Sequence, residues 1–212
     1  MDNNLIYEAF KRAFDFAAAT TGLIIISPLL TLVAVWIKID SKGPVFFRQE
    51  RAGKGGKIFK IFKFRTMVNN ASELGQHFTT PSGDWRITKS GEFLRKFNID
   101  ELPQLFNVVR GEMSLVGPRP EVPEIVKLYD EEQKKVLSVR PGLTDYASIN
   151  FRQEGEIMRQ SVDLYDDYTR KILPKKITLQ LKYIRQRSMG VDIKIIIKTI
   201  GSILKHIFSS KK

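Results

Sequence analysis

Cysteine is absent from the 212-residue chain, which excludes disulfides, thiolate nucleophiles and Cys-ligated zinc. His77 and His206 are its only two histidines, so a His-rich metal centre is excluded too, and any metal is expected to be hard and oxygen-bound. The single long apolar run lacks a small-residue cleavage site and therefore does not read as a secretory signal. Negative charge is in the minority: 35 Lys and Arg face 23 Asp and Glu, for a net charge of +12. That balance suits an anionic partner, whether phosphate, nucleic acid or acidic lipid. No internal repeat or low-complexity tract is present, and the lack of cysteine fits a cytoplasmic body.

Residues 16–37 carry no charge, and a straight helix of that length is about 33 Å long, enough to cross the hydrocarbon core. Two features oppose a simple crossing. Ser27-Pro28 stands mid-run, where proline removes a helical hydrogen bond and predicts a kink or break. Basic residues flank both ends, Lys11 and Arg12 before and Lys38, Lys42, Arg48 and Arg51 after, whereas a simple span calls for asymmetry. A re-entrant helix, broken at Ser27-Pro28 and returning to the side it entered, satisfies both, with Ser27 free to bond a carbonyl released by the proline. A spanning helix and a buried helix of a soluble protein are the alternatives.

Downstream, residues 43–67 hold two aromatic and β-branched runs around a Gly-rich centre at 53–56, which predicts a hairpin. Residues 69–90 read as a loop. Apolar positions three or four apart predict helices near 121–139 and 163–187. The final stretch places Ile193, Ile196, Ile197, Ile200, Ile203, Leu204 and Ile207 on one face with Lys194, Lys198 and Lys205 on others, a basic amphipathic helix that suits a membrane surface or packs on the body. The fold expected is α/β, mainly α with a small β-hairpin, in three parts: a membrane helix at 1–42, a catalytic domain at 43–190 and the terminal helix and tail at 191–212.

Chemistry concentrates between residues 93 and 120. Asp100 precedes the apolar positions Leu102, Leu105, Phe106 and Val109, with Pro103 in the first turn, a pattern that marks Asp100 as a helix N-cap. A helix N-terminus also attracts anions, so a phosphate there would face Asp100 and Glu101. Like charges so placed demand a divalent cation, and Mg²⁺ bridging carboxylate and phosphate oxygens fits the residue types. An ionised carboxylate in that position can attack phosphorus. Gly117-Pro118-Arg119-Pro120 is stiff, because each proline fixes its own φ and Pro120 drives Arg119 extended. The planar fork of Arg119 then suits bidentate contact with phosphate. Arg95, Lys63 and Arg65 can add positive potential.

The segment IDELPQLFNVVRGEMSLVGPRP at 99–120, with KFRTM at 63–67 and RPGLT at 140–144, resembles the bacterial sugar transferase family, the small monotopic polyprenyl-phosphate phosphoglycosyl transferases. The resemblance covers nearly the whole chain. It implies a re-entrant helix at the bacterial inner membrane with the catalytic domain on the cytoplasmic face, Mg²⁺, a UDP-sugar donor and an undecaprenyl phosphate acceptor. It further implies that Asp100 is the nucleophile, that Glu101 is the carboxylate on the metal side with Asp100 beside it, and that Arg95, Arg119, Lys63 and Arg65 bind phosphate. The implied mechanism is ping-pong, with UMP leaving before the lipid phosphate attacks. After RPGLT many members continue with Gly, Gln and Asn-Gly-Arg, whereas Asp145, Ser148 and Asn150-Phe151-Arg152 stand here, so no donor sugar carries over. Two other classes compete: a peripheral scaffold whose basic face binds acidic lipid, and a single-strand nucleic-acid binder using its aromatics and cations.

Overall fold

The computed structural model describes residues 3–71, 83–152 and 154–209. Half of the loop expected at 69–90, residues 72–82 with His77, lies outside the described residues, as does the Lys211-Lys212 tail. The chain is mainly helical with two small sheets. Helix α1 (Asn3–Asp40) leads into the hairpin β1 (Phe46–Ala52) and β2 (Ile58–Phe64). Then come α2 (Lys89–Lys96), a 3₁₀ helix at Ile99–Gln104, α3 (Leu105–Arg110) and β3 (Ser114–Val116). The second half holds α4 (Pro123–Val126), β4 (Gly142–Thr144), α5 (Tyr146–Asn150) and α6 (Glu154–Ile157). It closes with α7 (Leu164–Asp167), α8 (Leu173–Gln186) and α9 (Met189–Ser209).

Helix α1 runs through Pro28 as one element, not as the two expected. The Ile24 carbonyl is the one whose partner Pro28 cannot supply, and the Ser27 hydroxyl donates to it at 2.8 Å. The interruption is thereby reduced to one missing N–H. Only 11% of the most apolar 18-residue window of this helix is buried, so the body does not cover it, and the reading as a core helix of a soluble protein fails. Ile24, Ile25, Leu29 and Leu32 face outward. Both ends of α1 nevertheless hold the same body. Near the start, Arg12 donates to the carbonyls of Val108 and Val109 at 2.7 and 2.8 Å. Beyond the proline, Val33 and Ile37 pack against Phe64 and Leu94, and Asp40 accepts from the Ser90 N–H at 2.9 Å.

The hairpin forms as expected, antiparallel with Arg48 opposite Phe62 and Ala52 opposite Ile58. Gly55 and Gly56 take the positive φ values its turn requires. Its central bond to the helical layer is Asn107, whose side chain accepts from the Phe62 N–H and donates to the Lys60 carbonyl. The helix expected at 121–139 does not form as one. Gln133 N–H donates to the Asp130 carboxylate at 2.8 Å, which opens a fresh turn, and the segment divides into α4 and a 3₁₀ helix at Gln133–Ser138. Tyr129 and Val136 on either side of that turn enter one core with Ile125, Tyr168 and Ile177. The second expected helix is present from α7 through a π-helical turn at Tyr168–Ile172 into α8, with Asp163 capping its start.

Strands β3 and β4 pair in parallel, Ser114 with Gly142 and Val116 with Thr144, and this pair fixes the stiff Gly-Pro-Arg-Pro segment that follows β3. A Cβ at Gly142 would lie 2.0 Å from the Gly117 backbone nitrogen, so only glycine fits. Gly142→Ala is expected to lower stability by about 1–3 kcal/mol or more through overpacking, measured as a fall in thermal midpoint in detergent.

Helix α9 divides its surface. Asp192 and Ile195 are buried, with Asp192 accepting from Tyr183 and Lys11, and Thr199 bonds Thr144. Ile193, Ile197, Ile200 and Leu204 stay exposed. Most of the apolar face foreseen in the sequence is therefore open, and the helix docks by a mixed edge in which Ile195, Val191 and Ile196 pack against Val116 and Tyr183 beside the Asp192 and Thr199 bonds. The side chain of Ile207 lies outside the described set.

Candidate active site

The Asp100-Glu101 pair sits in the first turn of the 3₁₀ helix Ile99–Gln104. Asp100 is not the N-cap. That position falls to Asn98, which adopts a left-handed backbone (φ 56°), a conformation asparagine tolerates better than most residues. The two-residue shift turns Asp100 inward, where it is 8% exposed.

Glu101 is fully engaged. Arg119 donates to both of its oxygens, at 3.0 Å to Oε2 and with a second bond to Oε1, and Lys63 donates to Oε1 at 2.8 Å. Burial alone would raise the Glu101 pKa, but Arg119 and Lys63 outweigh it and hold the carboxyl well below its usual range. Arg119 is held up correspondingly by Glu101. Asp100 goes the other way. Burial, reinforced by the charge of Glu101 and only partly offset by Lys63, Arg95 and Arg119, lifts it to about 6. Two adjacent carboxylates thus differ: one is locked in its ionised form by cations, and the other titrates just below neutrality.

Of the cations foreseen in the sequence, three converge here. Arg119 and Lys63 meet Glu101 directly. Arg95, on α2, bonds Thr66 at 2.8 Å and is among the charges that act on Asp100. Arg65 does not join them: its guanidinium donates to the carbonyls of Ser41, Lys42 and Pro44. It closes the chain leaving α1, an anchoring role that engages each of its three nitrogens. The stiffness of the 117–120 segment is reinforced by Asp145, which accepts from the Arg119 N–H at 3.3 Å. Arg152 donates to Asn98 at 2.9 Å, so the stretch that departs from the family pattern touches the residue leading into the dyad.

Sequence reasoning missed the support behind Arg119. Lys176, 5% exposed, donates to Glu121, Glu154 and Tyr168, and Tyr168 bonds Glu121. Arg51 holds the Pro120 carbonyl at 3.1 Å. The alternation of the hairpin puts Arg51 and Lys63 on one face, which was the available signal for Arg51. Little local marks Lys176, whose carboxylate partners lie 22 and 55 residues away. Two donors, Arg51 Nε and Gln104 Nε2, are buried without a partner, so this part of the molecule is short of acceptor oxygens.

Among the described residues no cluster of three or more Asp, Glu or His side chains forms a metal cage. Asp100 and Glu101 are oxygen donors of the kind that a hard cation such as Mg²⁺ takes and zinc does not, but the Glu101 oxygens are engaged by Arg119 and Lys63, so a cation there would replace part of that pairing.

The structure thus combines a buried carboxylate pair, one member of which is held by arginine and lysine, with one long apolar helix that the body leaves largely uncovered. The model of the bacterial sugar transferase family matches residues 6–206, and the chain belongs to that family. Similar curated proteins include the undecaprenyl-phosphate glucose phosphotransferase of Komagataeibacter xylinus, 45% identical over 94% of this chain and 36% of that protein. Another is the UDP-N-acetylgalactosamine-undecaprenyl-phosphate N-acetylgalactosaminephosphotransferase of Aeromonas hydrophila, 41% identical over 94% of this chain and 44% of that protein. The chain thus spans less than half the length of these two relatives. It matches most of the exopolysaccharide production protein ExoY of Rhizobium meliloti, 34% identical over 91% of this chain and 84% of that protein.

Proposed function

We propose that the protein transfers a sugar 1-phosphate from a UDP-sugar to undecaprenyl phosphate, giving undecaprenyl-diphosphate-sugar and UMP, as an early step in building a bacterial surface glycan. The observation that carries the reading is the split between the two carboxylates. Asp100 is unpaired and nucleophilic above about pH 6, while Glu101 fixes Arg119 and Lys63 around it. In the first half-reaction an Asp100 oxygen bonds to the sugar-bearing phosphorus as that phosphorus loses its oxygen to the departing UMP. In the second, an oxygen of the lipid phosphate attacks the same phosphorus and the aspartyl carboxylate is released.

Arg119, Arg95 and Lys63 supply positive charge to oxygens on which negative charge builds, in a site with little water. Mg²⁺ held by Asp100 and Glu101 would neutralise the diphosphate so that an anionic carboxylate can approach it. The unpartnered donors of Arg51 and Gln104 favour a ligand rich in acceptor oxygens.

The helix α1 then serves as the membrane element, entering and leaving on one side. Its support is the anchoring of both ends to one body, through Arg12 before the proline and Asp40 after it. The apolar face of α9 lies on the same membrane surface, and the catalytic domain faces the cytoplasm across the inner membrane interface. Single cysteines near residue 4 and in the body are expected to react from the same side of sealed vesicles.

Purified protein given Mg²⁺, undecaprenyl phosphate and a panel of UDP-sugars is expected to release UMP with one or a few of them. Release with none would refute the transfer. Because the nucleophile must be ionised, kcat/KM is expected to rise with pH through an acid limb near pH 6 and to level above it. A limb near pH 4 would place the ionising group elsewhere.

A further inference from the structure

Nearly every arginine of this molecule has an oxygen partner, and the exceptions coincide. Most of the arginines hold backbone carbonyls, as Arg12, Arg65 and Arg140 do, or carboxylates, as Arg119, Arg170 and Arg187 do. Among the described residues two lack any oxygen partner, Arg48 and Arg110. Both sit on the ring of Phe62. Arg48, its cross-strand neighbour on β1, places its guanidinium carbon 4.7 Å from the ring centroid, and Arg110, the last residue of α3, places its own at 4.9 Å.

The platform is rigid. Phe62 is buried, and its N–H is held by the Asn107 side chain from α3, so strand and helix present the two forks in fixed relation. The guanidinium carbons lie at most about 10 Å apart, since each is within 5 Å of one point, which puts both forks within about the span of one phospholipid headgroup. Like charges on a shared ring repel, and cation–π attraction does not neutralise them. The neighbouring carboxylate of Glu112 is drawn to the Asn107 amide at 2.7 Å and does not supply the missing counter-charge.

What surrounds the pair is apolar and open. Phe106, tilted against Phe62 at 6.4 Å, is 41% exposed, and Phe46, on the same strand face as Arg48, is 40% exposed. Helix α3 itself lies against α1, with Leu105 packed near Gly22, so the patch adjoins the helix whose outer face is uncovered. Paired arginine forks select phosphate, and exposed phenylalanine rings beside them suit the acyl side of the boundary where headgroups meet hydrocarbon.

We infer that Arg48 and Arg110 form a site for the phosphate of an anionic phospholipid headgroup, separate from the Asp100-Glu101 centre, with Phe106 and Phe46 resting in the lipid beside it. The inference needs the protein to sit at a membrane but does not depend on the transfer chemistry.

The test uses the full chain in neutral detergent, titrated with short-chain phosphatidylglycerol or the matching phosphatidylcholine and read by native mass spectrometry. The wild type is expected to prefer phosphatidylglycerol, and the Arg48→Gln/Arg110→Gln double variant to bind it about tenfold more weakly, with kcat for UMP release unchanged at saturating substrates. An Arg48→Lys/Arg110→Lys variant, which keeps the charge and loses the forks, is expected to fall between them; it also serves if the glutamine variant does not fold. Equal binding of phosphatidylglycerol by wild type and variant would overturn the site. Competition by inorganic phosphate at the same concentration as the lipid would overturn the lipid as its source. A rise in KM for undecaprenyl phosphate with phosphatidylglycerol binding intact would overturn it too, since the forks would then serve the acceptor.

Discussion

Asp100→Asn is expected to abolish UMP release, with a loss of at least about a thousandfold in kcat, and to leave a protein that melts at a higher temperature than the wild type. The two effects have one cause. Asparagine keeps the shape of the side chain but cannot bond to phosphorus as a carboxylate does. It also removes a negative charge that burial and Glu101 make costly in the folded state, as the rise of the Asp100 pKa to about 6 records. A group whose folded pKa lies above its unfolded value of 3.8 binds its proton more tightly when folded. The cost of ionising it is therefore absent below about pH 4, grows between pH 4 and 6, and is complete above. At neutral pH the gain on substitution is on the order of 2–3 kcal/mol. Thermal melting in detergent at pH 7.5 and at pH 4 checks the sign: the stabilisation should be present at the first and fade at the second. A variant that is inactive but less stable at neutral pH would mean that Asp100 is held by favourable bonds and is not poised to react.

Glu101→Gln is expected to do the reverse to stability. Arg119 and Lys63 converge on that carboxylate, which is 14% exposed, and removal of its charge strands two largely buried cations. Breaking such a pair from one side costs about 3–5 kcal/mol, so the thermal midpoint should fall sharply. Activity should fall as well, because the same cations lose the partner that fixes their direction. Residual turnover would carry a distinctive signature. Glu101 is one of the two largest influences that raise the Asp100 pKa, so the acid limb of the variant should move to lower pH. An unmoved limb would show that the two carboxylates do not sense each other.

The opposite signs of these two substitutions follow from details only partly visible in the residues themselves. That Asp100, Glu101 and Arg119 work together is legible from their types and from the rigidity of the 117–120 segment. The hairpin, the uncharged run at 16–37 and the Ser27 bond to the Ile24 carbonyl are likewise legible, since each rests on local chemistry: alternation, length, and a donor placed next to a proline. What does not follow from local chemistry is which donors are already spent. Arg65 has the composition and neighbourhood of a phosphate ligand, yet three carbonyls after α1 consume it, and that loop is brought to β2 only by tertiary packing. Lys176 and Tyr168 lie far along the chain from Glu121 and become its partners only because α8 folds back over the core. The helix foreseen at 121–139 fails for a related reason: apolar spacing reports a buried face, and two short turns around Asp130 bury Tyr129 and Val136 as well as one helix would. Asn98 took the cap from Asp100 because a left-handed residue two positions earlier ends α2 and starts the next turn together.

Two of the departures at residues 145–152 touch the flanks of the carboxylate pair: Asp145 takes the Arg119 N–H and Arg152 reaches Asn98, so side chains that differ from the common pattern brace the pair without entering it.

The account turns on a bond between Asp100 and phosphorus. Intact-mass measurement of the protein mixed with Mg²⁺ and its donor, with the lipid acceptor withheld, should reveal a species heavier by one sugar phosphate, mapped by peptide analysis to Asp100 and cleared when undecaprenyl phosphate is added. Turnover at the normal rate with the mass unchanged at every time sampled, or a stable adduct on any other residue, would contradict it.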